Sequence, residues 1–299
     1  LAYVNSITKD IINLVQEREK NTTDGNMFLY SLFFGDIDFD DLSTLNKALF
    51  LGYLPSWQYC IYVFEMINAD SYFQEQEAEH GSYFMETPSE FYRMLSTKLS
   101  YLIHKKFSNT WHIGKDNSNI FVLPVNTKAK ELEADRFFES LCSRMESQYT
   151  GTRFLVGKGD VCYRLTGIRD SFVHAKRCLL ARRLINDSRR IISYNDLGFY
   201  QLLFEIPLAS VPKEYAARFL DPLKEYDRAH ESFLYETLCT FLSCRYNKVQ
   251  TARELFLHRN TLLGRLEKIE KLLGISLENS DTLFQLQAAV YIDRFLTET

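Results

Sequence analysis

The sequence predicts an α+β chain, a layered α/β domain followed by an all-helical domain. Three observations predict it. From about residue 27 to residue 200, apolar spacing alternates between the helical and the strand period. From Asp227 onward only the helical period remains. Between them lies a hinge-like stretch, Ile-Pro-Leu-Ala-Ser-Val-Pro, bounded by Pro207 and Pro212. A chain of 299 residues has room for two cores, and 46% hydrophobic with 25% charged residues is the balance of a soluble globular protein. No apolar run approaches the length of a membrane span and no signal-peptide pattern opens the chain, so a cytoplasmic protein without a membrane partner is expected. Leu1 in place of Met suggests that the sequence starts inside a longer protein.

Taken in order, residues 1–26 predict an N-terminal segment. Its helix carries the stripe Ile7, Ile11, Leu14 and Val15, followed by a turn-rich break at Asn21–Asn26. Two short helices follow, Met27–Phe34 and Leu42–Leu51. The acidic run Asp36, Asp38, Asp40 and Asp41 before the second reads as an N-terminal charge bias rather than a metal site, since no other ligand converges there. Trp57–Met66 is aromatic and β-branched, a buried strand. Ser89–Lys106 is a helix burying Phe91, Met94, Leu95, Leu99, Leu102 and Ile103. Thr110–Gly114 and Ile120–Val125 form a hairpin around the polar turn Lys115–Asn119. Lys128–Gln148 is a helix burying Leu132, Phe137, Phe138, Leu141 and Met145. Arg153–Gly157 is a strand. Leu165–Leu184 is a helix with Ile168, Phe172, Ala175 and Leu179 at steps of 4, 3 and 4, and Ile191–Tyr194 is a last strand. The expected limits are 27–204 for the α/β domain, 205–226 for a linker and helix, and 227–299 for the helical domain.

The helical domain centres on Asn247–Leu277, which reads as helix, tight turn, helix. In the first helix Val249, Ala252, Leu255 and Phe256 are expected to share one apolar face, with the turn at Leu257-His258. In the second, Leu262, Leu266, Ile269 and Leu273 form a buried stripe, and Gly274 ends the helix. Opposite the stripe lie Asn260, Gly264 and Lys271, with Thr261 and Lys268 beside them and Arg265 on the flank. From Arg245 to Lys271 there are seven bases against three acids, in a chain whose net charge is −4. Local positive charge on the second of two turn-linked helices is what phosphate contact requires. The bland alternative is a helical hairpin with a solvated charged face.

His258-Arg259-Asn260-Thr261-Leu262, followed by Arg265-Leu266 and Ile269-Glu270, resembles the C-terminal DNA-binding domain of the purine-catabolism and sugar-diacid regulators, the PucR/CdaR family. The resemblance runs to about Phe295. It implies that His258, Arg259, Asn260, Thr261, Gly264, Arg265 and Lys268 meet double-stranded DNA, in a homodimer, with a small-molecule effector unidentified. Leu263 and Gly264 depart from it, since the family commonly has Arg and an aromatic residue there. A looser resemblance covers Met27–Phe204. Val156-Gly157-Lys158-Gly159, Gly167–Phe172 with Ala175, and Tyr194–Tyr200 are similar to the degenerate GGDEF-like domain that precedes the DNA-binding domain in the same regulators. The hairpin Ile113–Ile120 has one glycine, one acid and no Glu-Phe, so cyclase chemistry is not expected.

Other chemistry finds no pattern. The six histidines, among them His174 on a helix, lack metal or catalytic spacing, and the six cysteines show no Cys-x-x-Cys, so no metal, cofactor or catalytic residue is expected. Gly157-Lys158-Gly159 lacks the phosphate-loop spacing. Arg164–Arg190 is strongly basic, with eight cations against two acids. It reads as a solvated helix face, or else as a contact for phosphate or an anionic effector.

Overall fold

The computed structural model describes residues 25–35, 37–80, 87–182, 184–185 and 189–298. The chain divides into two compact units, one made of Leu1–Arg182 with Asp187–Leu197, the other of Arg183–Asn186 with Gly198–Thr299. The helix expected within residues 1–20 lies outside the described residues.

In the first unit the described elements are α1 (25–34), α2 (Leu42–Phe50), β1 (Tyr59–Met66), α3 (Ala69–His80), α4 (Pro88–Lys106), β2 (Trp111–Lys115), β3 (Ser118–Pro124), α5 (Lys128–Gln148), β4 (Phe154–Lys158), α6 (Leu165–Ala181) and β5 (Ile191–Ser193). The five strands form one sheet in the order β2-β3-β1-β4-β5. Strand β1 lies antiparallel to both β3 and β4, and β5 is parallel to β4. The central β1 is covered on both faces, and alternate residues enter different cores, as the two-residue strand period requires. Tyr59, Ile61 and Val63 pack with α1, α2 and α6, while Cys60, Tyr62, Phe64 and Met66 pack with α4 and α5. A Thr87–Glu90 capping box starts α4, and Asp41 caps α2, its carboxylate accepting from the Ser43 N–H at 3.0 Å. Hydrogen bonds from Ser43 hold the Asp41 carboxyl below its usual pKa, which agrees with the helix-terminus reading of the acidic run.

Some expectations need correction. Gly25 and Asn26 are helical, so the break assigned to Asn21–Asn26 does not include them. Helix α3 was not anticipated, because Ala69–His80 has almost no apolar stripe to announce it. Met94 and Leu132 are exposed, at 37% and 44%, rather than buried. Helix α6 ends at Ala181, before Leu184.

Gly157 and Gly159 are explained by packing. A Cβ on Gly157 would lie 2.0 Å from the Ala175 carbonyl oxygen, and one on Gly159 would lie 2.0 Å from that of Ser171. The glycines let α6 lie directly on β4, and that helix fills the space a phosphate would need. Lys158 between them points the other way. Its side chain is 7% exposed and its ammonium meets Glu131 at 2.7 Å and Asp135 at 2.8 Å, and Asp135 also accepts from the Tyr62 hydroxyl at 2.8 Å. Burial opposes the Lys158 charge, but the hydrogen bonds to Asp135 and Glu131 prevail and its pKa lies above the ordinary lysine value. Part of the basic run is paired within the fold: Lys176 with Glu65, Arg190 with Glu146 and Arg189 with Asp196, at half-exposed positions. His174 Nδ1 lies 2.8 Å from the Asp160 carboxylate, with its ring stacked on Tyr194. All six cysteines are buried and unpaired with one another.

Gly157→Ala and Gly159→Ala should each destabilise the first unit by about 3 kcal/mol or more, because the clash is with helix backbone rather than a movable side chain. Chemical denaturation of the purified variants measures this.

Candidate nucleic-acid interface

The second unit contains α7 (Phe199–Glu205), α8 (Lys213–His230), α9 (Leu234–Ser243), α10 (Lys248–Glu254), α11 (Arg259–Leu273) and α12 (Ser280–Glu298). Apart from Arg183–Asn186, it runs continuously from Gly198. Apolar spacing in the sequence predicts helices over Lys213–Leu220 and Asp227–Arg245. Instead α8 runs unbroken through Pro222 to His230, and α9 occupies only Leu234–Ser243. The chain reverses at Glu231 and Phe233, both with left-handed φ, near 50° and 57°.

Asp227 holds this reversal. Its Oδ1 accepts from the Leu234 N–H at 2.6 Å and the Ser232 hydroxyl at 2.7 Å, and its Oδ2 accepts from the Tyr235 N–H at 2.8 Å. The carboxylate thus caps α9 from the end of the preceding helix, satisfying amides that a helix start leaves without acceptors. Asp293 on α12 ties the same helices together, accepting from Lys224 Nζ at 2.6 Å and the Tyr235 hydroxyl at 2.7 Å. On α12 Leu283, Leu286, Val290 and Phe295, which share one helical face, are all buried.

Asn247 starts α10 by accepting from the Val249 and Gln250 N–H groups, each at 3.0 Å. The face this helix buries is Thr251 and Ala252. Val249 and Phe256, expected to be buried with Ala252, are 67% and 96% exposed. The helix is too short for the expected stripe: it stops at Glu254, and Phe256 takes a left-handed φ of 54° that turns it outward. His258 then caps α11, its Nδ1 accepting from the Asn260 N–H at 3.3 Å, which assigns the ring proton to Nε2. Leu262, Leu266 and Ile269 are at most 3% exposed, as their spacing requires, and Leu273 is half-buried. Gly274 ends α11 with a left-handed φ of 64°, and the Glu270 carboxylate accepts from the Leu277 N–H at 2.7 Å to lead into α12.

The seven residues expected at the interface fall into two groups. His258, Arg259, Asn260, Thr261 and Gly264 are exposed. Among the described residues, the side chains of Arg259, Asn260 and Thr261 form no hydrogen bond or ion pair. Arg265 and Lys268 are half-buried and engaged by the chain itself. Arg265 Nη1 donates to the Thr237 hydroxyl at 3.2 Å, and its guanidinium lies 5.7 Å from the centre of the Phe233 ring. Thr237, fully buried, donates in turn to the Phe233 carbonyl at 2.6 Å. Lys268 Nζ lies 4.6 Å from the centre of the Tyr226 ring. These two cations therefore brace α11 against α8 and α9. Sequence reasoning missed Asp227, Phe233 and Thr237 in this role. No sequence pattern marks them, since a cap reaching from seven residues upstream and a contact across 28 positions have no fixed spacing. Among the described residues none of the seven cations between Arg245 and Lys271 pairs with a carboxylate. No described helix is long and apolar enough to cross a membrane.

Comparison with known proteins agrees with both units. Residues 35–181 match the GGDEF-like domain, and residues 234–292 match the PucR C-terminal helix-turn-helix domain. The chain is 29% identical over 185 residues to the purine catabolism regulatory protein of Bacillus subtilis, an alignment covering 61% of this chain and 34% of that protein. It is 24% identical to the DNA-binding transcriptional activator AdeR of the same organism, over 70% of this chain and 52% of the relative. The carbohydrate diacid regulator of Escherichia coli is 31% identical over 52% of this chain and 39% of its own length. The chain thus spans about half or less of each of these relatives. It carries the architecture of the PucR/CdaR-type transcriptional regulators, a GGDEF-like domain followed by the PucR C-terminal helix-turn-helix domain.

Proposed function

We propose that this chain is a sequence-specific regulator that binds double-stranded DNA through the first two turns of α11, acts in the cytoplasm as a homodimer and has no cyclase activity. The observation that carries the reading is the unspent start of α11. Arg259, Asn260 and Thr261 are exposed and unpartnered within the described residues, on a helix whose other face is fully buried. The start of a recognition helix is the part that meets base edges in the major groove. An Asn amide matches adenine N6 and N7, and an Arg there suits guanine or phosphate. Arg265 and Lys268 support binding by holding the helix in place. The names of the purine-catabolism and carbohydrate-diacid relatives extend the proposal to a catabolic or metabolic gene set, controlled through a small-molecule effector.

The rival reading is a nucleotide cyclase. Against it stands the hairpin turn, where a cyclase would need glycines and metal-binding acids. The hairpin carries one acid, Asp116, and one glycine, Gly114; beside it Glu65 on β1 is taken by Lys176 and Ser118, and Lys115 lies over the Phe34 ring, 4.1 Å from its centre. Incubation with GTP and Mg²⁺ should give no cyclic dinucleotide; measurable product would overturn this part of the proposal.

Asn260→Ala should lose roughly 1–3 kcal/mol of binding to a specific duplex and almost none to a random one. Arg259→Ala should either do the same or, if it holds phosphate, weaken both and lower the salt slope by about one unit. Neither should alter thermal stability. Arg265→Ala should behave differently, costing about 1–2 kcal/mol of folding stability through the lost Thr237 hydrogen bond and Phe233 contact. Titrations on both duplexes over a salt series, with melting curves, separate these outcomes.

One helix-turn-helix spans only a half-site, so two related by symmetry are needed for useful affinity. Light scattering should find a dimer; a monomer both free and on DNA would contradict the assembly.

A further inference from the structure

Gly264 lies in the middle of α11 on its exposed side. Glycine weakens a helix relative to alanine, and nothing among the described residues requires one here, because a Cβ at Gly264 would meet none of their atoms within 4 Å. The reason that explains Gly157 and Gly159, a helix lying against them, is missing. By helical spacing the neighbours of Gly264 are Asn260 and Thr261 one turn earlier and Glu267 and Lys268 one turn later. The heads of Arg265 and Lys268 are held by Phe233 with Thr237 and by Tyr226. The result is an open notch whose floor is helix backbone, with the exposed Asn260 and Thr261 one turn before it, neither side chain partnered among the described residues.

Resting on the DNA-binding reading above, we infer that this notch is a specificity determinant that seats the C5-methyl group of a thymine. The thymine methyl is the apolar group displayed among the polar base edges of the major groove. A backbone without Cβ lets such a group approach closely. The adjacent Asn260 amide has the donor and acceptor that adenine presents. Notch and amide together would select an A·T-containing step, one by shape and the other by hydrogen bonding.

The test starts from duplexes selected by the full chain out of a random pool. Gly264→Leu places a good helix former in open space, so it should fold and melt about 2–4 °C higher than the parent. It should bind the selected duplex at least about tenfold more weakly and random duplex equally well. Replacing thymines singly by deoxyuridine removes only the methyl. At one position this should cost the parent about fourfold and cost the variant nothing. Equal binding of the selected duplex by parent and variant, or no uracil-sensitive position, would overturn the inference while leaving DNA binding intact. Failure of the pool to enrich any sequence would overturn the DNA-binding reading itself, and this inference with it.

Discussion

Burial of Leu262, Leu266 and Ile269 decides which face of α11 is left outside. A helix has one stripe to bury, and once three large aliphatic residues take it, the residues opposite must face solvent or a partner. The rest of the second unit serves that stripe. Helix α9 supplies the surface it packs on, Asp227 fixes where α9 begins, and Asp293 ties α9 to α8 and α12. Arg265 and Lys268 close the two flanks from the same helix. Reading DNA requires side chains held in register before the ligand arrives, and this scaffold restricts α11 while leaving Arg259, Asn260 and Thr261 unspent.

Glycines in this chain answer two different demands. At Gly157 and Gly159 the missing side chain is used by the protein, since α6 occupies the space. At Gly264 no described residue occupies that space. A sequence shows the same letter in each case. Only the surroundings of the absent Cβ distinguish a packing glycine from one that faces outward, and that distinction removes the phosphate-loop reading of Gly157-Lys158-Gly159.

Much of the fold was legible because its signals are local. The aromatic and β-branched run of β1, the 4-3-4 stripes of α6 and α11, the hairpin turn and the cap at Gly274 each depend on a few neighbouring residues. Helix α3 was hidden because its apolar residues form no stripe. The join of α8 across Pro222 was hidden because proline reads as a break, although it is tolerated where packing against α12 holds the helix together. At the candidate interface Asn260, Thr261 and Gly264 were recognisable by their spacing from the buried stripe, and His258 and Arg259 by the family resemblance. The roles of Arg265 and Lys268 were not, since their partners Thr237, Phe233 and Tyr226 lie far away in sequence, and neither was the outward turn of Phe256, which depends on where α10 stops.

The central claim is that the start of α11 touches DNA. The first amides of a helix have no acceptor within the helix, so those of Arg259–Thr261 should exchange with solvent quickly in the free protein, apart from the one His258 accepts. Hydrogen–deuterium exchange of the whole chain, with and without a random-sequence duplex at low salt, reads them directly. The account predicts that added DNA slows exchange in residues 257–265 more than in α5, α8 or α12. Unchanged exchange there, with slowing confined to another element, would contradict it.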